Sequence, residues 1–183
     1  MRSGRRGSQE PGSRRRREVS KGRDTGAWHL TKADFDSPDV QALAEAQQSE
    51  MRGLYSGEAD IGPSRDASMF MPPDGVFLVI RDEDGRAVGC GGVARFDDRR
   101  GELKRMYVVP EARGRGLGRH LLLELEAQAH ELGYVALVLE TGDLQPEALG
   151  LYRSSGYEQI PCYPPYDSRA LSLCFEKRLP PPE

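Results

Sequence analysis

Between residues 102 and 118 the chain reads ELKRMYVVPEARGRGLG, and a leucine-rich run over 119–132 follows. A strand-like run, a turn at Pro110, an Arg/Gly loop and then a helix that begins where the glycines stop restrict the fold more than any other stretch. The backbone N–H groups at a helix N-terminus lack intrahelical partners and carry roughly half a positive charge from the macrodipole. Gly114, Gly116 and Gly118, with Leu117 between the last two, let the backbone approach a ligand without a Cβ in the way. Arg113, Arg115 and Arg119 add planar cationic forks matched to phosphate oxygens. The expected ligand of this loop is a phosphate group.

Two phosphate loops do not fit. A nucleoside-triphosphate loop needs Gly-Lys-Ser/Thr after its glycines, and no such pair is present. A dinucleotide fingerprint needs a third glycine where Arg119 stands if counting starts at Gly114, or where Leu121 stands if it starts at Gly116.

Around the loop, elements alternate. Residues 28–31 read as a short strand and 38–54 as a helix capped by Asp36 and Ser37. Residues 57–74, rich in Gly, Pro and Asp, read as a loop or short helix. Residues 76–81 and 87–96 form a hairpin about the DEDG turn, and 102–109 a further strand. Leu117, Leu121, Leu125, Ala129 and Leu132 recur every four residues, with Leu122 beside them, as a core-facing stripe that ends at Gly133. Residues 135–139 form an unbroken apolar run suited to a strand covered on both faces. Pro146 opens a helix ending near Ser154, and 157–160 and 170–177 are the last strands. The class is α+β, a run of antiparallel strands with helices packed on it.

The loop resembles the acyl-coenzyme A pyrophosphate loop of the GNAT N-acetyltransferase superfamily, Arg/Gln-x-x-Gly-x-Gly/Ala, filled here by Arg113, Gly116 and Gly118. Downstream, QPEALGLY (residues 145–152) and Ser155-Gly156-Tyr157 resemble that family's second motif, and the order matches over roughly residues 75–178. The resemblance implies the GNAT fold: a mixed, mostly antiparallel twisted sheet flanked by helices and splayed between strands 4 and 5. It also implies acetyl-CoA as acyl donor, bound as a substrate without a metal, and a primary amine of a small molecule or peptide as acceptor. Backbone N–H groups of Met106, Tyr107 and Val108 are expected to face the thioester from a bulged fourth strand. Gln145 stands where the family places an asparagine against the pantetheine.

Acetyl transfer needs a proton acceptor for the amine, a fixed donor for the developing oxyanion and a donor for the leaving thiolate. Glu102 and Glu140, at strand ends where different family members carry a glutamate, compete for the first role, with Glu102 slightly preferred; either could instead serve an ion pair or a turn. Tyr152 is the expected acid, its alternative being to pack on the sheet. Tyr163, Tyr166 and Asp167 in the last loop, with Glu50, Arg52 and Tyr55, are expected at the acceptor cleft. The rival reading is a non-catalytic acyl-CoA-binding sensor on the same fold.

Composition bounds the remainder. The first 26 residues hold eight arginines and Lys21 against Glu10, Glu18 and Asp24, a balance of +6, so a chain of net charge −3 carries −9 over 27–183. With almost nothing apolar to bury, residues 1–26 are expected to be a disordered tail, and 27–183 one acetyltransferase domain. No aromatics interleave the tail's arginines, so nucleic acid is an unlikely partner confined to the tail. The acidic body favours a cationic, amine-bearing substrate. No apolar core follows the arginines as in a signal peptide, and no run suits a membrane span; a cytoplasmic monomer or homodimer is expected. Cys90, Cys162 and Cys174, odd in number and without CxxC spacing, are expected to be reduced, packed thiols.

Overall fold

The computed structural model describes residues 28–55 and 66–180. The tail expected to be disordered, and the expected loop as far as residue 65, lie outside the described residues. The elements are β1 (His29–Lys32), α1 (Pro38–Leu54), a 3-10 turn (Ala67–Phe70), β2 (Val76–Arg81), β3 (Ala87–Arg95), β4 (Arg100–Val108), a 3-10 turn (Pro110–Ala112), α2 (Leu117–Glu131), β5 (Ala136–Gly142), α3 (Pro146–Ser154), β6 (Glu158–Ile160) and β7 (Ser172–Arg178). They form one seven-stranded sheet in the order β1-β2-β3-β4-β5-β7-β6. β4 and β5 run parallel, and the other described pairs are antiparallel. Among the described residues no helix is long and apolar enough to cross a membrane.

The sheet is covered on both faces. On one, the α2 stripe of Leu117, Leu121, Leu122, Leu125 and Ala129 packs on Leu103, Leu137, Leu139 and Phe175, joined by Tyr152 of α3. Each fully buried leucine contributes about 1.5–3 kcal/mol, so the register of α2, and with it the position of its N-terminus, is fixed by packing. On the other face Val40 and Leu43 of α1 meet Val79, Cys90, Ala94 and Tyr107. There Phe35, Phe70 and Phe77 form a three-ring cluster with centroids 4.9–5.1 Å apart.

The expectation of three free thiols is corrected. Cys162 and Cys174 form a disulfide, while Cys90 remains free and buried. Ile160 and Cys174 are the last paired residues of the β6–β7 hairpin, and two residues further on Cys162 lies diagonally across from Cys174, with 5.0 Å between their Cα atoms. Hairpin register brings the two cysteines together, and spacing along the chain does not reveal register. Burial pushes the Cys90 thiol up to about 12, which leaves it protonated and unreactive.

Candidate active site

Parallel pairing of β4 with β5 runs from Arg100↔Ala136 to Leu103↔Leu139 and stops, although β4 continues to Val108 and β5 to Gly142. The two strands therefore diverge, and the expected splay lies here. A bulge in β4 accompanies it: Cys90 faces Tyr107 and Gly92 faces Lys104, so Arg105 and Met106 together oppose Gly91. Arg105 takes a left-handed backbone conformation (φ 59°), uncommon for a side chain of its size. The extra residue reverses the alternation of faces. Leu103 and Met106 both pack on the α2 face, while Lys104 and Tyr107 fall on the α1 face. The Val109 N–H donates to the Val88 carbonyl at 2.9 Å. Ladder alternation then turns the Val108 N–H the other way, toward the edge that β5 has left.

The Arg/Gly loop sits directly above. Gly114 and Gly116 adopt φ 75° and 78°, left-handed values, and a Cβ on either would meet open space. Gly116 is the N-cap of α2 and no side chain caps the helix, so its first N–H groups open onto that space. The three arginines are deployed differently. Arg113 donates from Nε to the Val108 carbonyl (2.9 Å) and from its terminal nitrogen to Glu50 (2.7 Å), and lies over the Tyr107 ring. Arg115 stacks on Trp28, and Arg119 donates to Ser154 of α3 at 2.7 Å. Leu117 is buried in the core and offers the loop only its backbone.

Helix α1 touches every part of this arrangement. Gln47 donates to the Met106 carbonyl inside the bulge at 3.1 Å, and Glu50 accepts from Arg113 and from the Tyr107 hydroxyl. Tyr55, just past the end of α1, reaches across to the turn after β5, where its oxygen accepts the Leu144 N–H at 3.1 Å. The approach requires Gly142, because a Cβ there would overlap the Tyr55 hydroxyl. Of the residues expected at the acceptor cleft, Glu50 instead braces the loop, and Arg52 pairs with Glu45 on the exposed side of α1.

The carboxylates share the α1 face. Glu102, opposite Ala94 on β4, is buried, with one oxygen 2.7 Å from the Lys104 ammonium and the other accepting from the Tyr163 hydroxyl at 3.2 Å. Lys104 also donates to the Tyr166 hydroxyl at 3.2 Å. Glu140, at the diverging end of β5, accepts from Ser172 at 2.6 Å. Burial raises its carboxyl above the usual range, only partly offset by the Ser172 bond and nearby cations. Asp167 is exposed. Tyr152 lies on the opposite face, buried against Tyr157 and Phe175; burial, with a smaller contribution from the Glu140 charge, pushes its phenol well above the ordinary range. Gln145 is the N-cap of α3 and makes no side-chain capping bond.

Sequence reasoning missed Lys104 and Ser172. The alternation Glu102-Leu103-Lys104 places the lysine on the glutamate's face and could have found it. Ser172 is brought to Glu140 by the pairing of Gly142 with Ser172 across β5 and β7, and has no local signal. Among the described residues, no group of three or more His, Cys, Asp or Glu is placed to hold a metal ion. A separate recess at the far end of β4 and β5 is lined by Asp97, Arg100 and Glu176, which pair with one another.

Comparison with known proteins agrees with this geometry. The model of the acetyltransferase (GNAT) family matches residues 40–157. The IAA acetyltransferase of Azospirillum brasilense is 43% identical over 141 residues, covering 76% of this chain and 90% of that protein. An uncharacterised N-acetyltransferase of Schizosaccharomyces pombe is also 43% identical, over 93 residues that span 50% of this chain and 57% of the yeast protein. A crystal structure from Klebsiella pneumoniae, assigned to the acyl-CoA N-acyltransferases, superposes with TM-score 0.71 at 32% identity, covering 83% of this chain and 97% of that one. The fold is shared by the PaiA N-acetyltransferase of Thermoplasma acidophilum, crystallised with coenzyme A (TM-score 0.62, 18% identity, 83% and 99% covered). With the family model spanning well over half of the chain and acetyltransferases among its near relatives, this protein belongs to the GNAT acetyltransferase family and is an acyltransferase of that type.

Proposed function

We propose that the protein transfers the acetyl group of acetyl-CoA to a primary amine of a small molecule or peptide by direct attack. The observation that carries this reading is the β4–β5 divergence, flanked by Glu102 and Glu140 on one face and Tyr152 on the other, with the Arg/Gly loop at its mouth. The pyrophosphate is held by the N-terminus of α2 and the backbone of residues 113–119, with Arg115 and Arg119 as cationic neighbours. The pantetheine follows the gap past Gln145, and the thioester oxygen meets a backbone N–H of residues 106–108, of which that of Val108 is best directed.

The amine nitrogen attacks the carbonyl carbon, its proton passes to a carboxylate directly or through one water, and the carbon–sulfur bond breaks. Glu140 is favoured as the acceptor of that proton. Glu102 is already committed to Lys104 and Tyr163, whereas Glu140 stands at the diverging end of β5 with its carboxyl raised above the usual range by burial. Tyr152 remains protonated across the working range. Its raised pKa makes complete transfer to a thiolate uphill, so its contribution is a hydrogen bond to the leaving sulfur, with solvent completing protonation. No observation favours the sensor alternative.

The test is an amine panel with acetyl-CoA, read by mass spectrometry of products and by thiol release. Glu140→Gln is expected to lose about 10²–10⁴-fold in kcat, the range of a general base. Full turnover in both Glu140→Gln and Glu102→Gln would remove the carboxylate from the mechanism, and full turnover in Tyr152→Phe would remove the phenol.

A further inference from the structure

Lys104 stands two residues after Glu102, one residue beyond the last β4–β5 pair, on the strand segment that faces the gap. Its side chain is 19% exposed and that of Glu102 10%, so the 2.7 Å pair between them is largely shielded from solvent. The same ammonium donates to Tyr166 at 3.2 Å and lies 5.6 Å from the centre of its ring. Tyr166 and Tyr163 both belong to the loop between β6 and β7, and Tyr163 donates to the other oxygen of Glu102. Cys162 and Cys174 close this loop at its base. Two hydrogen bonds thus tie the loop to Glu102 and Lys104 of β4, and Tyr163 also packs edge-on against Phe96 with ring centroids 4.7 Å apart.

The charges facing this cluster are Glu102 and Lys104 from β4, Glu140 from β5, and Tyr163, Tyr166 and Arg169 from the loop, Arg169 lying over the Tyr166 ring. Glu102 is buried and Glu140 half-buried on the same face, and two carboxylates so placed resist ionising together. The Lys104 ammonium, bonded to Glu102 and to the Tyr166 hydroxyl, offsets part of that repulsion through its charge on Glu140.

We propose that Lys104 is a positioning residue: its ion pair fixes the Glu102 carboxylate on β4, its charge sets the electrostatic surroundings of Glu140, and its bond to Tyr166 latches the 161–171 loop against the strand. The proposal rests on the reading that the Glu102–Glu140 pair supplies the base. Burial is the largest single influence and works against the ammonium, but the Glu102 charge and hydrogen bond together with those of Tyr166 exceed it, and the net upward shift keeps Lys104 cationic through the working range. Its charge in turn opposes the rise in Glu140. Loss of Lys104 therefore raises the proton affinity of Glu140 and removes the ionic partner of Glu102.

The test is a ¹³C-glutamate NMR titration of the full chain, which requires no acceptor. Lys104→Met, with Lys104→Gln as a second variant if methionine disturbs folding, is expected to move the carboxylate midpoints up by about one pH unit or more, and Lys104→Arg to restore them. Tyr166→Phe keeps the cation and is expected to leave the midpoints in place while amide exchange over 163–171 speeds up. Using the best amine of the panel, the acidic limb of kcat/KM should follow the same displacement, costing Lys104→Met about tenfold below the limb and little above it. Unmoved midpoints in a folded, charge-neutral variant would overturn the proposal. That result together with an inactive Glu140→Gln would sink the role of Lys104 alone, whereas an active Glu140→Gln with shifted midpoints would sink the base assignment alone.

Discussion

Substituting Gly142 by alanine should reverse its effect on stability according to what stands at position 55. The added Cβ would lie 2.5 Å from Cζ of Tyr55 and closer still to its hydroxyl, whereas ordinary contact begins at 3.4 Å. The side chain must withdraw by about 1.5 Å to clear its hydroxyl, outside the tolerance of a packed contact. It then loses the Leu144 N–H bond, now 3.1 Å, at about 0.5–1.5 kcal/mol. Displacing the side chain from its rotamer costs about 0.5–1.5 kcal/mol more. Against this, replacing glycine where its backbone conformation suits alanine stabilises by about 0.4–1 kcal/mol through the unfolded chain, and Gly142 is not among the residues of positive φ. The net is a loss of about 1 kcal/mol in the native background. In a Tyr55→Ala background the remaining close approach is the Gln145 amide nitrogen at 3.2 Å, at the end of a flexible side chain that can shift, and the same change should stabilise by several tenths of a kcal/mol. Urea unfolding of the four proteins of the cycle, with m held common, gives the coupling directly. Additive effects, or a destabilisation that persists without the tyrosine, would refute the claim that Gly142 exists to admit Tyr55.

Because the native state retains the Glu140 proton above the ordinary carboxylate range, stability should fall as pH rises from that range through the raised value, and Glu140→Gln should flatten this slope in unfolding curves taken across it. Catalysis should run in the opposite sense, kcat/KM falling as pH drops through the same value, as a pH profile will show. Glu50→Ala frees Arg113 from its 2.7 Å partner and should raise KM for acetyl-CoA several-fold with a smaller change in kcat; the pair is over a third exposed, so stability should change by less than about 1 kcal/mol. Cleaving Cys162–Cys174 with a dithiol, or Cys162→Ser, should cost about 2–4 kcal/mol in unfolding free energy and raise KM for the amine more than KM for acetyl-CoA, since the closed loop carries Tyr163 and Tyr166.

Local chemistry made some features readable in the sequence and left others hidden. The α2 stripe follows from four-residue spacing, and its buried leucines lie where that spacing puts them. Gly114 and Gly116 were legible because left-handed backbone needs glycine, and both adopt it. The β4–β5 divergence came only with the family resemblance, because nothing in either strand's own pattern states where pairing will stop. Glu50 was assigned to the acceptor side from its place near the end of α1. Which face it presents depends on how α1 is rotated on the sheet, and that is set by Val40 and Leu43 packing on β2 and β3. Ser172 and the disulfide share one cause of illegibility: both depend on the register of β7 against its two neighbours, a long-range property. Lys104 was open to inspection, since period-two alternation already placed it beside Glu102.

Helix α1 and its C-cap hold the bulge through Gln47, the Arg/Gly loop through Glu50 and the far jaw through Tyr55. A sheet that has parted has no ladder bonds with which to regulate its own opening; here a single rigid rod spans the parting and fixes its breadth, as calipers hold a gauge. On the proposed placement of the donor, the room left for the carbon chain beyond the thioester is a property of that rod. Shortening or lengthening its end contacts, Tyr55 above all, becomes a route to longer or shorter acyl donors that leaves the proton-handling groups in place.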